Sequence, residues 1–132
     1  MNKYENLTDN FKFYEFFSGD RKLGKNSIEP PKRLLNKIIF MAEELQKVRD
    51  YIGSPIIITS AFRTPTWNRY CGGVKRSYHT QARAVDIKVI GMPLQDLAIY
   101  VARLTEFNGY GINLYKGFIH CDMRKNLMVF KY

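Results

Sequence analysis

Between Leu34 and Val48 the apolar residues Leu34, Leu35, Ile38, Met41, Ala42, Leu45 and Val48 recur at steps of three and four. Steps of that size line one face of a helix and predict one from about Pro30 to Tyr51. Pro31 suits its first turn and Gly53 its C-terminal stop. The β-branched run Ile56-Ile57-Ile58-Thr59, bounded by Pro55, predicts a buried strand. Thr64-Pro65 has the form of a cap followed by a first-turn proline, opening a short helix that ends near Gly72-Gly73. From Ala84 to Val89 the pattern switches to period two, with Ala84, Asp86 and Lys88 on one side and Val85, Ile87 and Val89 on the other. Pro93 then opens a second amphipathic helix carrying Leu94, Leu97, Ala98, Val101 and Leu104. Strands are expected at Tyr110 to Leu114, at Phe118 to Met123 after a turn at Lys116-Gly117, and near Met128 to Phe130. At the other end, the aromatic stretch Leu7 to Phe17 predicts a short helix or extended arm over the core. The polar segment Ser18 to Ser27 predicts a loop.

Helices and strands follow one another without strict βαβ alternation, which makes the fold class α+β. At 132 residues, with 45% hydrophobic and 25% charged, the chain suits one globular domain. Residues 1–29 form the N-terminal arm and loop, and 30–132 the core. No apolar run is long enough to span a bilayer, so no membrane insertion is expected. The N-terminus lacks the charged-then-apolar order of a secretion signal, which points to synthesis in the cytoplasm.

Charge narrows the partners without naming one. Lys and Arg number 21 against 12 Asp and Glu, a net of +9, which favours polyanions such as nucleic acid or anionic envelope polymers. The basic residues are dispersed from Lys3 to Lys131 rather than gathered in a patch. Cys71 and Cys121 have neither disulfide-scaffold nor zinc-finger spacing and read as free thiols.

The chain has two histidines, His79 and His120. In Phe118-Ile119-His120-Cys121-Asp122-Met123-Arg124, alternation puts His120, Asp122 and Arg124 on one face and Ile119, Cys121 and Met123 on a core face. Residues two apart on a strand are separated by roughly 6.5–7 Å, a spacing that suits a metal ligand beside a second residue acting on water. A salt bridge between Asp122 and Arg124 suits the same spacing. His79 and Asp86 would be roughly 23 Å apart in extended chain, whereas two ligands of one zinc lie within about 4 Å. A shared metal therefore requires the chain to fold back, which the small Ala82 and Ala84 permit. A histidine beside a turn is also a common structural hydrogen-bonding residue.

The stretch Ile58-Thr59-Ser60-Ala61-Phe62-Arg63-Thr64-Pro65, then Asn68, Gly72-Gly73, Ser77-x-His79 and Ala84-x-Asp86-Ile87, resembles the zinc D-alanyl-D-alanine peptidases. The ending Phe118-Ile119-His120-Cys121-Asp122-x-Arg124 looks like the same family's closing strand. The matches run in one order from about Leu7 to Arg124. The resemblance implies a Hedgehog/DD-peptidase-like fold, a mixed and mainly antiparallel sheet flanked by helices. It implies one Zn²⁺ held by His79, Asp86 and His120, with a fourth position left for water. Arg63 matches the arginine that approaches a substrate carboxylate or carbonyl oxygen. Ser77 matches a residue at the substrate side that orients the His79 loop. Trp67 is expected in the core, and Asn68 as a local anchor. Some members carry an acid or histidine just before the last ligand. Here Tyr115, Lys116, Gly117 and Phe118 stand there, leaving Asp122, or an acid elsewhere such as Glu106, as the general base. The family usually has glycine where Ala82 stands, a place where positive φ would strain alanine.

The expected function is thus hydrolysis of a peptidoglycan stem-peptide or cross-link bond next to a D-amino acid by a zinc-activated water. The implied protein is a monomer, resembling a phage or prophage lysin, that anionic cell-wall polymers attract through its charge. A zinc-binding recognition module of the same fold is the alternative. A basic nucleic-acid-binding domain would explain the charge but leave the His/Asp set unused.

Overall fold

The computed structural model describes residues 1–17, 28–74 and 77–131. The loop expected over Ser18 to Ser27 lies outside the described residues. Among them the chain forms three α-helices and five strands: α1 (Leu35–Ile52), β1 (Ile57–Ser60), α2 (Pro65–Tyr70), β2 (Ala84–Lys88), α3 (Leu94–Leu104), β3 (Gly109–Asn113), β4 (Phe118–Asp122) and β5 (Met128–Lys131). The strands make one mixed sheet in the order β1-β2-β4-β3-β5. All pairings are antiparallel except β3 with β5, which is parallel. This is the expected α+β class.

The periodic face of α1 is buried as predicted, through Ile38, Met41, Ala42, Leu45 and Val48. Its start is later than Pro30. Pro31 has φ −56° and ψ 146° and caps a 3₁₀ turn over Lys32–Leu34, which leads into the α-helix. Proline's fixed φ serves equally in the extended basin, where a cap residue sits, so it stands one place outside the turn. Gly53 ends α1 in the left-handed region at φ 68°, a conformation that favours glycine. Glu44, on the same buried face, accepts the Glu106 backbone N–H at 2.8 Å and pairs with Lys47 at 2.7 Å, tying α1 to the segment entering β3.

The isoleucine run is not a central strand. β1 lies at the sheet edge, pairs with β2 alone, and leaves Ile57 37% exposed. A continuous apolar run reads the same at an edge and at the centre, because the pattern reports residue type and not the number of neighbours. The N-terminal arm forms a 3₁₀ turn at Phe13–Phe16 and buries Phe11, Phe13, Phe16 and Phe17 in the core. Burial of each phenylalanine contributes roughly 1.5–3 kcal/mol, so this arm is part of the hydrophobic core. The arm also reaches the loop after β1, where the Phe62 N–H donates to the Phe16 carbonyl at 2.8 Å.

Candidate metal centre

The pairing of β2 with β4 sets Asp86 directly across from His120. Val85, Ile87, Ile119 and Cys121 point into the core from the same two strands, so period-two alternation turns Asp86 and His120 to the other face. His79 arrives from the turn before β2. That turn folds back through bonds from Ala82 N–H to the His79 carbonyl (3.3 Å) and from Arg83 N–H to the Tyr78 carbonyl (2.9 Å). Ala82 takes φ 55° to close it, the one non-glycine with positive φ among the described residues. The strain anticipated for alanine at this position is therefore present. Ser77 Oγ accepts the His79 backbone N–H at 3.1 Å, so its hydroxyl orients the ligand loop. α2 begins as expected, with the Thr64 side chain accepting from Trp67 N–H at 3.1 Å and Pro65 in the first turn.

His79 Nδ1 lies 2.7 Å from the Ala61 carbonyl oxygen. A carbonyl can only accept, so Nδ1 carries the hydrogen and Nε2 keeps its lone pair. Nε2 lies 3.3 Å from Asp86 Oδ1. His120 has a carboxylate on each side: Nε2 lies 2.8 Å from Asp122 Oδ2 and Nδ1 3.0 Å from the same Asp86 Oδ1, so a hydrogen on Nε2 leaves the Nδ1 lone pair facing Asp86. With both rings neutral, three acceptor atoms converge without a hydrogen among them, and all lie within 4.8 Å of one another. Such a cluster requires either added protons or a cation. Tetrahedral zinc with bonds near 2.0–2.1 Å places neighbouring ligands about 3.3 Å apart, close to the two histidine–carboxylate separations. Two imidazoles and one carboxylate are a donor set zinc accepts. The residues fit the ion, and each histidine has its other nitrogen fixed by a backbone carbonyl or a carboxylate, as metal-bound histidines usually do.

The electrostatics follow the contacts. Burial pushes the Asp86 carboxyl up, but the charge and hydrogen bonds that His79 and His120 offer when protonated outweigh it and hold the group well below the usual carboxylate range. Burial pushes His120 down, and Asp122 and Asp86 together more than reverse this, raising it above the ordinary histidine value. Burial likewise pushes Asp122 up, yet the Arg124 and His120 hydrogen bonds bring it well below its usual range.

Asp122 is fully buried and stands across the His120 ring from the metal side. Its carboxylate also accepts Arg124 Nε at 2.7 Å, Nη2 at 2.6 Å and the Arg124 backbone N–H at 3.1 Å. The expected placement of this carboxylate beside the water position is not what the fold builds. Strand alternation sets the face, but the ring of His120 then separates the two carboxylates. The Arg124 guanidinium lies 5.1 Å from the Tyr78 ring centroid and 5.4 Å from that of Phe130. Glu106, the other acid considered, is exposed at the α1 side and lines neither cavity of the cleft.

Arg63 is held by Ser60 Oγ (3.0 Å from Nε) and Asn68 Oδ1 (3.3 Å from Nη1), and its Nη2 reaches Asp86 Oδ2 at 3.4 Å. Asn68 is the anchor expected of it, also donating to the Val74 carbonyl at 2.7 Å. Trp67 is buried, but it stacks on Tyr70 (centroids 5.0 Å, planes 15° apart) and lines a cavity instead of joining the main core.

Two glycines of β3 shape the site without chemistry of their own. A Cβ on Gly109 would overlap the Asp122 carboxylate and Arg124 Nε, and one on Gly111 would overlap the Phe130 ring. Their signal was glycine at alternate positions of a strand, the mark of close approach on one face. The Ala61 carbonyl carries no side-chain signal and was not legible.

His79, Asp86 and His120 line a cavity of about 540 Å³ together with Arg63, Tyr78 and Phe130. An open cleft over two imidazoles and a carboxylate on an α+β scaffold has the build of a mononuclear metal centre. A family model described as Peptidase M15 matches residues 10–122, and the chain belongs to that family of zinc D-Ala-D-Ala carboxypeptidase-like peptidases. Its class is therefore metallopeptidase. No curated protein matches the chain.

Proposed function

We propose that this protein hydrolyses a peptide bond next to a D-amino acid in bacterial peptidoglycan, at a stem-peptide end or a cross-link. The observation that carries the reading is the convergence of His79 Nε2, Asp86 Oδ1 and His120 Nδ1 at the cleft floor in a chain of the M15 family. Zinc at these atoms supplies Lewis acidity, polarising a carbonyl oxygen and lowering the pKa of a water. The protein's own residues do the rest. The Ala61 carbonyl and Asp122 hold each imidazole in the tautomer that turns its lone pair inward. Arg63, braced by Ser60 and Asn68, presents a fixed cation for a substrate oxygen. The net charge of +9 draws the protein towards anionic wall polymers, in the manner of a phage or prophage lysin acting as a monomer.

One observation favours a second reading, a zinc-holding recognition module. Among the described residues lining the cleft, Asp86 is the sole carboxylate and it is itself a ligand, so no separate acid stands ready as a base. Incubating purified peptidoglycan with zinc-loaded and with chelated protein, followed by mass analysis of released fragments, separates the two. Zinc-dependent release of peptides, lost in His79→Ala and Asp86→Ala, supports the peptidase. Stoichiometric zinc with intact peptidoglycan supports the recognition module.

A further inference from the structure

The cleft does not end at the metal. A second cavity, of about 620 Å³, is walled by Thr59, Ser60, Trp67 and Tyr70 and reaches neither histidine. It shares Arg63, Cys71, Asp86, Lys116 and Phe118 with the cavity over the histidines. Asp86 and Arg63 thus form a waist between two arms. A terminal alanine displaces only three or four waters, roughly 100 Å³. The second arm is several times larger and falls in the range of sites that hold a small ligand.

The charges of this waist are unequal. Three cationic side chains line the two cavities: Arg124 is committed to Asp122, and Arg63 leans on Asp86 at 3.4 Å, beside the histidines, where the reacting oxygen would lie. Lys116 is the third, and among the described residues no carboxylate pairs with its ammonium. Its backbone is fixed in the β3–β4 turn, where its N–H donates to Asn113 Oδ1 at 2.9 Å and the next residue, Gly117, takes φ 77°. Lys116 is exposed at this turn and lines both cavities, so its ammonium can meet an anion that enters either one. The stacked Trp67 and Tyr70 rings beyond it offer an apolar wall, and the Thr59 and Ser60 segment a polar one. Together they suit an extended peptide segment that carries a carboxylate.

We propose that the second arm is a subsite for peptide on the far side of the waist from the histidines, and that Lys116 selects substrates by pairing with a carboxylate of that segment. The nature of this ligand rests on the peptidase reading. The carboxylate has two possible sources, the free C-terminus of the peptide and an acidic side chain within it. The free C-terminus lies past the cleaved bond and an acidic side chain of the stem lies before it, so the source also tells which side of that bond the arm holds.

The test is an NMR titration of the ¹⁵N-labelled, zinc-loaded full chain with three probes. They are acetyl-L-lysyl-D-alanyl-D-alanine as the free acid, its C-terminal amide, and acetyl-D-glutamyl-L-lysyl-D-alanyl-D-alanine amide. Either the free acid or the glutamyl peptide should bind about tenfold more tightly than the plain amide, as a charge-assisted contact predicts. Which of the two does so identifies the source. Shifts should reach Thr59, Trp67 and Tyr70, and in Lys116→Gln the preferred peptide should fall to the affinity of the amide. A preference that survives Lys116→Gln, equal affinities throughout, no binding, or shifts confined to the histidine arm would each overturn the subsite. The same spectra reveal cleavage products. Lys116-dependent binding of uncut peptides, with purified peptidoglycan also left intact, would sink the hydrolase and leave the subsite, whereas cutting without Lys116 dependence would do the reverse.

Discussion

His120 Nε2 donates to Asp122 Oδ2 at 2.8 Å, on the edge of the ring turned away from Asp86. The carboxylate thereby decides which nitrogen of His120 is left to bind a cation. Asp122→Asn should keep the fold but weaken zinc binding by about 10–100-fold, the usual effect of losing such a partner. A zinc competition titration measures it. Normal zinc affinity with abolished turnover would return Asp122 to the role of general base.

Gly109 faces Asp122 across the β3–β4 pairing, and its missing side chain is where the Asp122–Arg124 pair sits. Gly109→Ala should force that pair apart. The Arg124 side chain is 20% exposed, so solvent compensates part of the lost contact, and a lower thermal midpoint with a loss of zinc affinity is expected. A stable Gly109→Ala protein with unchanged zinc affinity would show that the pair is dispensable.

Ala82 closes the ligand turn at φ 55° while its methyl group is fully buried. Ala82→Gly removes left-handed strain of roughly 1–2 kcal/mol. It also loses about 0.8 kcal/mol of buried methyl and adds unfolded-state freedom of about 0.4–1 kcal/mol. These effects nearly cancel, so chemical denaturation should place Ala82→Gly within about 1 kcal/mol of the parent. Ala82→Val should be far less stable, because a β-branched residue tolerates positive φ poorly.

Zinc must displace the proton that His120 holds, and this proton is bound more tightly than by an ordinary histidine because Asp122 and Asp86 outweigh burial. Zinc affinity should therefore fall about tenfold per pH unit below the raised value, a window that begins above about pH 6.5. In the chelated protein the sign is opposite. A raised folded value contributes stability below about pH 6.5 that is lost as pH climbs through it. Thermal melts across about pH 6–9 should show the chelated chain weakening with rising pH while the zinc-loaded chain does not.

Much of this architecture is local and so was legible in the chain. The faces of α1 and α3, the Thr64-Pro65 start of α2, the Gly53 stop and the core face Ile119-Cys121 each follow from side-chain period or backbone sterics within a few residues. The His79, Asp86 and His120 set was readable as a family pattern, and the fold gathers those three side chains. Tertiary structure alone decided that β1 is an edge, that Arg63 leans on Asp86, and that Gly109 makes room for the Asp122–Arg124 ion pair. It also decided that Asp122 serves the outer nitrogen of His120 instead of facing the metal. Alternation along a strand assigns a side chain to one of two faces and no further. Which neighbour it meets there depends on cross-strand register and on side-chain torsions set by residues distant in the chain.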